Sequence, residues 1–243
     1  MVKKFLSYIL SPIFYLFFGL ILVVFHPFLV IARFVFGRNA MDRVTTAFNF
    51  SLMRLLWVLG TSIKFVGFKK LTREQPIVIL SNHQSMWDVP ALMWKFKRHH
   101  PKFIVKEELS RFIPSVSFNV NHGGSVAIDR SKPTESLERI REFAKMINDK
   151  KYAVCIFPEG TRTMNGPMKP FKKSGIESIL KEIPNALFIP VAIKNTGKID
   201  WKGKLFKAVG IKVTYTFLEP RNLTLENVET ELSKIRDEII STI

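Results

Sequence analysis

The chain has 243 residues, 47% of them hydrophobic, which supplies a substantial core and excludes an intrinsically disordered protein. Its 37 Lys and Arg against 20 Asp and Glu give a formal charge of +17, so a polyanionic partner is expected: nucleic acid, an anionic membrane surface or a phosphorylated substrate. The single cysteine, Cys155, excludes an internal disulfide framework and, in an apolar run, reads as a small buried hydrophobe.

From Phe5 to Ala32 no Lys, Arg, Asp or Glu occurs, a stretch longer than the roughly 20 residues that cross a bilayer core. It is too long for a signal-peptide core and no small-x-small site closes it, so it is expected to be retained. Pro12 and Pro27 are expected to interrupt it, and Lys3 and Lys4 before it are matched by Arg33, Arg38 and Arg43 after it, which leaves spanning and shallow insertion both open. The next stretch, Met41 to Leu59, places Met41, Val44, Phe48, Leu52, Leu55 and Leu59 on one helical face and reads as a helix lying on a membrane surface. Residues 1–60 are therefore expected to form a membrane-associated helical hairpin, and residues 61–243 an α/β domain.

After the hairpin the period changes. Strands are expected at Ser62–Phe68, Pro76–Leu80, Lys102–Val105, Ser125–Ile128, Tyr152–Phe157, Leu187–Ile193 and Ile211–Phe217. Helical patterns fall between them: one from Pro90 through about Phe96, one opened by Ser131-Lys132-Pro133 with Leu137, Ile140, Phe143 and Ile147 on one face, and one capped by Thr224. The fold class is α/β, a mixed sheet of about seven strands flanked by helices, with function expected at strand ends.

Three strand ends carry unusual polar residues. At the first, Ser81-Asn82-His83-Gln84-Ser85-Met86-Trp87-Asp88 follows a buried apolar run. In an unbroken helix His83 and Asp88 would lie about 140° apart, so they meet only across a turn, with Asp88 as the expected helix N-cap. An Asp accepting from one imidazole nitrogen leaves the other basic. The second strand end is Gly124 through Arg130, and the third is Phe157-Pro158-Glu159-Gly160-Thr161-Arg162. Arg162 and Arg130 offer planar forks suited to phosphate, with Lys106 as a point charge and Gly160 and Thr161 as backbone or hydroxyl donors. Glu159 would repel phosphate, and is expected to orient an arginine or accept a hydrogen bond from a substrate hydroxyl.

These blocks, with Ile189-Pro190-Val191 after them, resemble in order and spacing the glycerolipid acyltransferase family, and within it the 1-acylglycerol-3-phosphate acyltransferases. The resemblance covers roughly residues 60 to 220. It implies transfer of a fatty acyl group from acyl-CoA or acyl-carrier protein to the sn-2 hydroxyl of lysophosphatidic acid, giving phosphatidic acid for phospholipid biosynthesis, on the cytoplasmic face of the cell membrane. His83 is then the expected general base with Asp88 its partner, the substrate contacts are Lys106, Arg130, Glu159, Gly160, Thr161 and Arg162, and no cofactor or metal is required. Ser117-Phe118 stands where the family usually has Gly before an aromatic, Ala127 replaces a bulkier residue, and Thr163 stands where Ser is frequent.

Ser81 and Cys155 lie close enough to the motifs to raise an acyl-enzyme route, but neither sits in a nucleophile-elbow context. A different lysophospholipid or an aminolipid is the nearest alternative acceptor. The rival of another class is a membrane-tethered binding protein for anionic lipid or nucleic acid, suggested by aromatics among basic residues at Trp94–Arg98, Lys169–Lys173 and Lys198–Lys207. The three-block match disfavours it, and no nucleic-acid partner is expected.

Overall fold

The computed structural model describes residues 2–129, 131–164, 166–201 and 205–243. Helix α1 (Val2–Phe34) runs without a break through Pro12 and Pro27. Each proline removes only one donor from the helical ladder, and packing along the whole length of the helix offsets that loss. Its buried residues run from Ser7 to Ala32, whereas Phe5, Leu16, Leu20, Val23, Phe28 and Ile31 form an exposed apolar face. Helix α2 (Arg38–Leu55) and the 3₁₀ turn Leu56–Leu59 follow.

The amphipathic face of α2 points the other way from expectation. Met41, Phe48, Leu52, Leu55 and Leu59 are all buried in the protein, so the lipid-like face of the hairpin belongs to α1 alone. The physical reason lies in burial inside α2, where Lys102 Nζ donates to Asp42 Oδ1 at 2.8 Å and Thr45 Oγ1 donates to Asn119 Oδ1 at 2.8 Å. These polar ties turn the stripe of α2 onto the domain.

The remaining elements alternate as the sequence implies. They are β1 (Ser62–Val66), β2 (Ile77–Ser81), α3 (Asp88–Lys95), β3 (Lys102–Lys106), α4 (Val116–His122), β4 (Val126–Ile128), α5 (Pro133–Lys150), β5 (Ala153–Ile156), α6 (Ser174–Glu182), β6 (Leu187–Lys194), β7 (Asp200–Trp201), β8 (Phe206–Lys207), β9 (Lys212–Phe217), β10 (Arg221–Asn222) and α7 (Val228–Thr242). The main sheet runs β1-β9-β6-β2-β5-β3-β4, with the two-residue β10 adding antiparallel to β6 as an eighth strand. Around β2 the pairing is parallel, so β2, β3, β4, β5 and β6 all end on one edge. Strand β1 stops at Gly67, whose φ of 75° no β-branched residue adopts easily and where a Cβ would lie 2.6 Å from the Phe217 carbonyl oxygen.

Side-chain alternation along the buried strands sorts the core into two layers. Ile77, Ile79, Ala153, Cys155, Ile189, Val191 and Ile193 face a cluster with Phe14 of α1, Met53 and Leu55 of α2, and Leu92 of α3. Val78, Leu80, Val154, Ile156 and Phe188 face the other, with Ile140 and Phe143 of α5, Ile179 of α6 and Ile235 of α7. The sheet is thus covered on both faces, as a mostly parallel sheet requires. Helix α7 begins at Val228, later than Thr224, which instead exchanges bonds with Asn227: Thr224 N donates to Asn227 Oδ1, and Asn227 N to Thr224 Oγ1. The capping bonds enclose the turn before the helix.

Candidate active site

The polar cluster grows from the C-terminal end of β2. Ser81 Oγ donates to the Val191 carbonyl at 2.8 Å, and Asn82 acts as an extra rung to β6: its Nδ2 donates to Ile193 O at 2.9 Å, and Ile193 N donates to its Oδ1 at 2.7 Å. The strand end is therefore locked before the chain reaches His83. A turn over 84–87 then returns the chain, and His83 and Asp88 meet, with Nδ1 2.7 Å from Asp88 Oδ2.

Asp88 is the first residue of α3, with Trp87 at the cap position, so it does not cap its own helix as expected. Its carboxylate organises the turn instead. Oδ2 also accepts from Gln84 N at 2.8 Å and Ser85 N at 2.9 Å. An oxygen already taking two N–H donors is an acceptor toward the ring as well, so in the neutral imidazole it is Nδ1 that carries the proton and Nε2 the lone pair. Asp88 is 0% exposed, and Oδ1 has no donor among the described residues. Burial, and after it the charge of Asp88, pushes the Cys155 thiol and the Tyr215 phenol well above their ordinary values. The imidazole lies face to face on Phe157, with centroids 4.0 Å apart and planes 13° apart, and its side chain is 14% exposed. The ring is held on one face and at one nitrogen, and reaches solvent with the remainder.

The third strand end packs directly under this histidine. Glu159, 2% exposed, accepts from His83 N at 2.8 Å through Oε1, and from Thr163 Oγ1 at 2.7 Å and Lys169 N at 3.1 Å through Oε2. Thr163 N donates back to His83 O at 2.7 Å. Among the described residues Glu159 pairs with no arginine, in contrast to the expectation that it orients one: a carboxylate with three protein donors is a tie between two loops. Gly160 makes the turn at φ 69°, Thr161 is exposed, and Arg162 is exposed one residue before the Thr163 bond to His83. Lys106 is exposed at the end of β3. Neither Lys106 nor Arg162 makes an ion pair among the described residues. Arg130 lies outside the described residues.

The two conceivable acyl acceptors within the protein are both out of reach. Ser81 and Cys155 are each 0% exposed, and the Cys155 thiol resists ionisation. Two further groups at the site carry no sequence signal. Phe157 sits in a recognised block but only the fold shows it as the floor of the imidazole, and Ser85 Oγ donates at 2.7 Å to Asp200 Oδ2, a residue 115 positions away.

Comparison with known proteins agrees with this arrangement. Residues 62–194, more than half of the chain, match the family model described as Acyltransferase. A 1-acyl-sn-glycerol-3-phosphate acyltransferase of Limnanthes douglasii is 26% identical over 186 residues, 75% of this chain and 64% of that protein. One from Saccharomyces cerevisiae is 26% identical over 205 residues, 82% of this chain and 65% of that protein. The chain thus spans slightly under two thirds of these relatives' length. Among solved structures, the 1-acyl-sn-glycerophosphate (LPA) acyltransferase of Thermotoga maritima superposes with a TM-score of 0.78 at 20% identity, covering 99% of this chain and 97% of the other, so the fold is shared throughout.

Proposed function

As a member of the acyltransferase family, this chain works, we propose, on 1-acylglycerol-3-phosphate, transferring a fatty acyl group from acyl-CoA or acyl-carrier protein to its sn-2 hydroxyl and releasing phosphatidic acid. The observation that carries this reading is the His83–Asp88 pair at a strand end, one nitrogen fixed by the carboxylate, with Arg162, which has no ion pair among the described residues, one residue from the loop that grips His83. A binding protein for lipid or nucleic acid has no use for such a pair.

The chemistry proceeds in one transfer. Nε2 of His83 takes the proton of the acceptor hydroxyl as its oxygen attacks the thioester carbonyl, and Asp88 stabilises the imidazolium that forms. The tetrahedral adduct collapses with breakage of the carbon–sulfur bond, and the imidazolium returns the proton to the departing thiolate. No acyl-enzyme forms, since Ser81 and Cys155 are buried, and the thioester supplies the driving force without a cofactor. The acceptor phosphate rests on Arg162 and Lys106, with Arg130, Gly160 and Thr161 as further donors. Thiol release from palmitoyl-CoA by the purified chain, with and without lysophosphatidic acid, tests the reading. Acceptor-dependent release with phosphatidic acid as product supports it, and release indifferent to acceptor overturns it in favour of thioester hydrolysis.

Arg162→Ala in the same assay is expected to raise KM for lysophosphatidic acid by roughly 10- to 100-fold, the worth of one charge-assisted pair, while KM for the acyl donor stays put. An unchanged acceptor KM would move the phosphate elsewhere, and would reopen the aminolipid alternative.

Membrane contact is assigned to α1. It is docked on the domain from Ser7, whose Oγ donates to Lys207 O, through Leu22, whose carbonyl accepts from Ser115 Oγ, to Ala32. That is about 37 Å of helix at 1.5 Å per residue, more than a hydrocarbon core of roughly 30 Å. A helix fixed to one domain over that length lies, in this reading, along a single leaflet with its exposed apolar face down, and a cytoplasmic orientation goes with the proposed acyl-CoA or acyl-carrier-protein donor. Leu16→Lys with Leu20→Lys is expected to abolish co-flotation with phospholipid vesicles while leaving the thermal melt unchanged. Persistent flotation would assign the contact to another surface.

A further inference from the structure

Lys207 and Asp200 form an ion pair that is buried on both sides, facing each other across the antiparallel pair β7–β8. A charge pair removed from water costs desolvation that its own attraction rarely exceeds, so its placement asks for a role other than stability. Each partner has a second attachment. Asp200 Oδ2 accepts from Ser85 Oγ at 2.7 Å, and Ser85 is the residue whose backbone N donates to Asp88 Oδ2. The backbone of Lys207 is gripped by α1, with Ser7 Oγ donating to its carbonyl at 2.6 Å and its own N donating to Ser11 Oγ at 2.9 Å. The ring of Trp87, in the same turn as Ser85, is packed edge-on against Phe14 and Phe18 of α1.

We propose that Asp200, aligned by Lys207, is a positioning residue for the His83–Asp88 pair, and that through Lys207 the seating of α1 sets the geometry of the turn that carries the base. Ser85 is the point of transmission. Its hydroxyl is fixed by Asp200 and its amide is one of the two backbone donors that aim Asp88 Oδ2 at the imidazole. If Ser85 turns, the carboxylate loses a donor and the Nδ1 bond loosens, and a loosened base slows transfer without touching the residues that bind the acceptor phosphate. Neither Asp200 nor Lys207 contacts the imidazole, so their effect passes through Ser85.

This inference rests on the acyltransferase reading, and two measurements separate the fates of the two. Asp200→Ala leaves the Lys207 ammonium buried without its carboxylate and threatens folding, so Ser85→Ala, which changes no charge, carries the test. The full chain with Ser85→Ala is expected to lose about 10²-fold in kcat, with KM for lysophosphatidic acid and palmitoyl-CoA within about twofold of the parent. The double variant Asp200→Asn with Lys207→Met keeps an acceptor for Ser85 but removes the charge pair that aligns it, and is expected to fall between the parent and Ser85→Ala in kcat. The second measurement needs no substrate: the downfield proton resonance of His83 Nδ1–H, assigned by its loss in His83→Ala, should weaken in Ser85→Ala and weaken less in the double variant. A Ser85→Ala protein that melts lower yet keeps its kcat and its Nδ1–H resonance overturns the positioning role. A parent with no acyl transfer but the expected resonance pattern overturns the acyltransferase reading and leaves the positioning role standing.

Discussion

His83→Ala is expected to lower kcat for acyl transfer to lysophosphatidic acid by about 10²- to 10⁴-fold, the usual worth of a positioned general base. KM for both substrates should hardly move, for a reason internal to the site. The bonds from His83 N to Glu159 and from Thr163 N to His83 O belong to the backbone and survive the substitution, so the loop that carries Arg162 keeps its place. What is lost is the ring, its stack on Phe157 and its bond to Asp88. Steady-state thiol release read beside a thermal melt separates lost chemistry from lost fold. Activity within tenfold of the parent would remove His83 from the reaction and leave the proposed mechanism without a base.

Much of this architecture is legible in the sequence, because the signals involved are local. All seven strand segments read from the sequence occur, most within a residue or two, since apolar β-branched runs bounded by Gly, Pro and Asn leave little choice. The turn between His83 and Asp88 was also forced, as a continuous helix could not bring them together. Misreadings begin where a pattern admits two environments. The stripe of α2 is equally suited to lipid and to protein, and only the tertiary ties of Asp42 and Thr45 decide between them. Glu159 stands three residues before Arg162, yet the left-handed turn at Gly160 sends one carboxylate inward and leaves the guanidinium outside. Spacing along the chain does not encode that divergence. Ser85 and Asp200 carry no pattern at all: one is a turn residue, the other lies on a two-residue strand, and their meeting depends on the whole sheet being assembled first.

The carboxylate is expected to matter about as much as the base, and Asp88→Asn isolates why. Asp88→Ala would strand the N–H groups of Gln84 and Ser85 together with the imidazole donor in a buried turn, at about 1–3 kcal/mol for each unsatisfied group, and so would confuse collapse of the site with loss of its chemistry. Asparagine is nearly isosteric, and its carbonyl can occupy the place of Oδ2 and keep both backbone bonds. Two things still change. A neutral amide no longer stabilises the imidazolium that forms as the hydroxyl proton is taken. If the amide instead turns its NH₂ group toward the ring, Nδ1 becomes the acceptor and Nε2 carries the proton, which is the tautomer that cannot act as a base. Either arrangement lowers kcat, by about 10²- to 10⁴-fold where the charge and the tautomer both count. KM for lysophosphatidic acid should stay close to that of the parent, because Arg162 is positioned through Glu159 and Thr163 and not through Asp88. A variant that melts like the parent, binds the acceptor like the parent and turns over slowly would locate the function of Asp88 in its charge. One that turns over within tenfold of the parent would show that the carboxylate serves the turn alone, and that His83 needs no anionic partner to accept the proton.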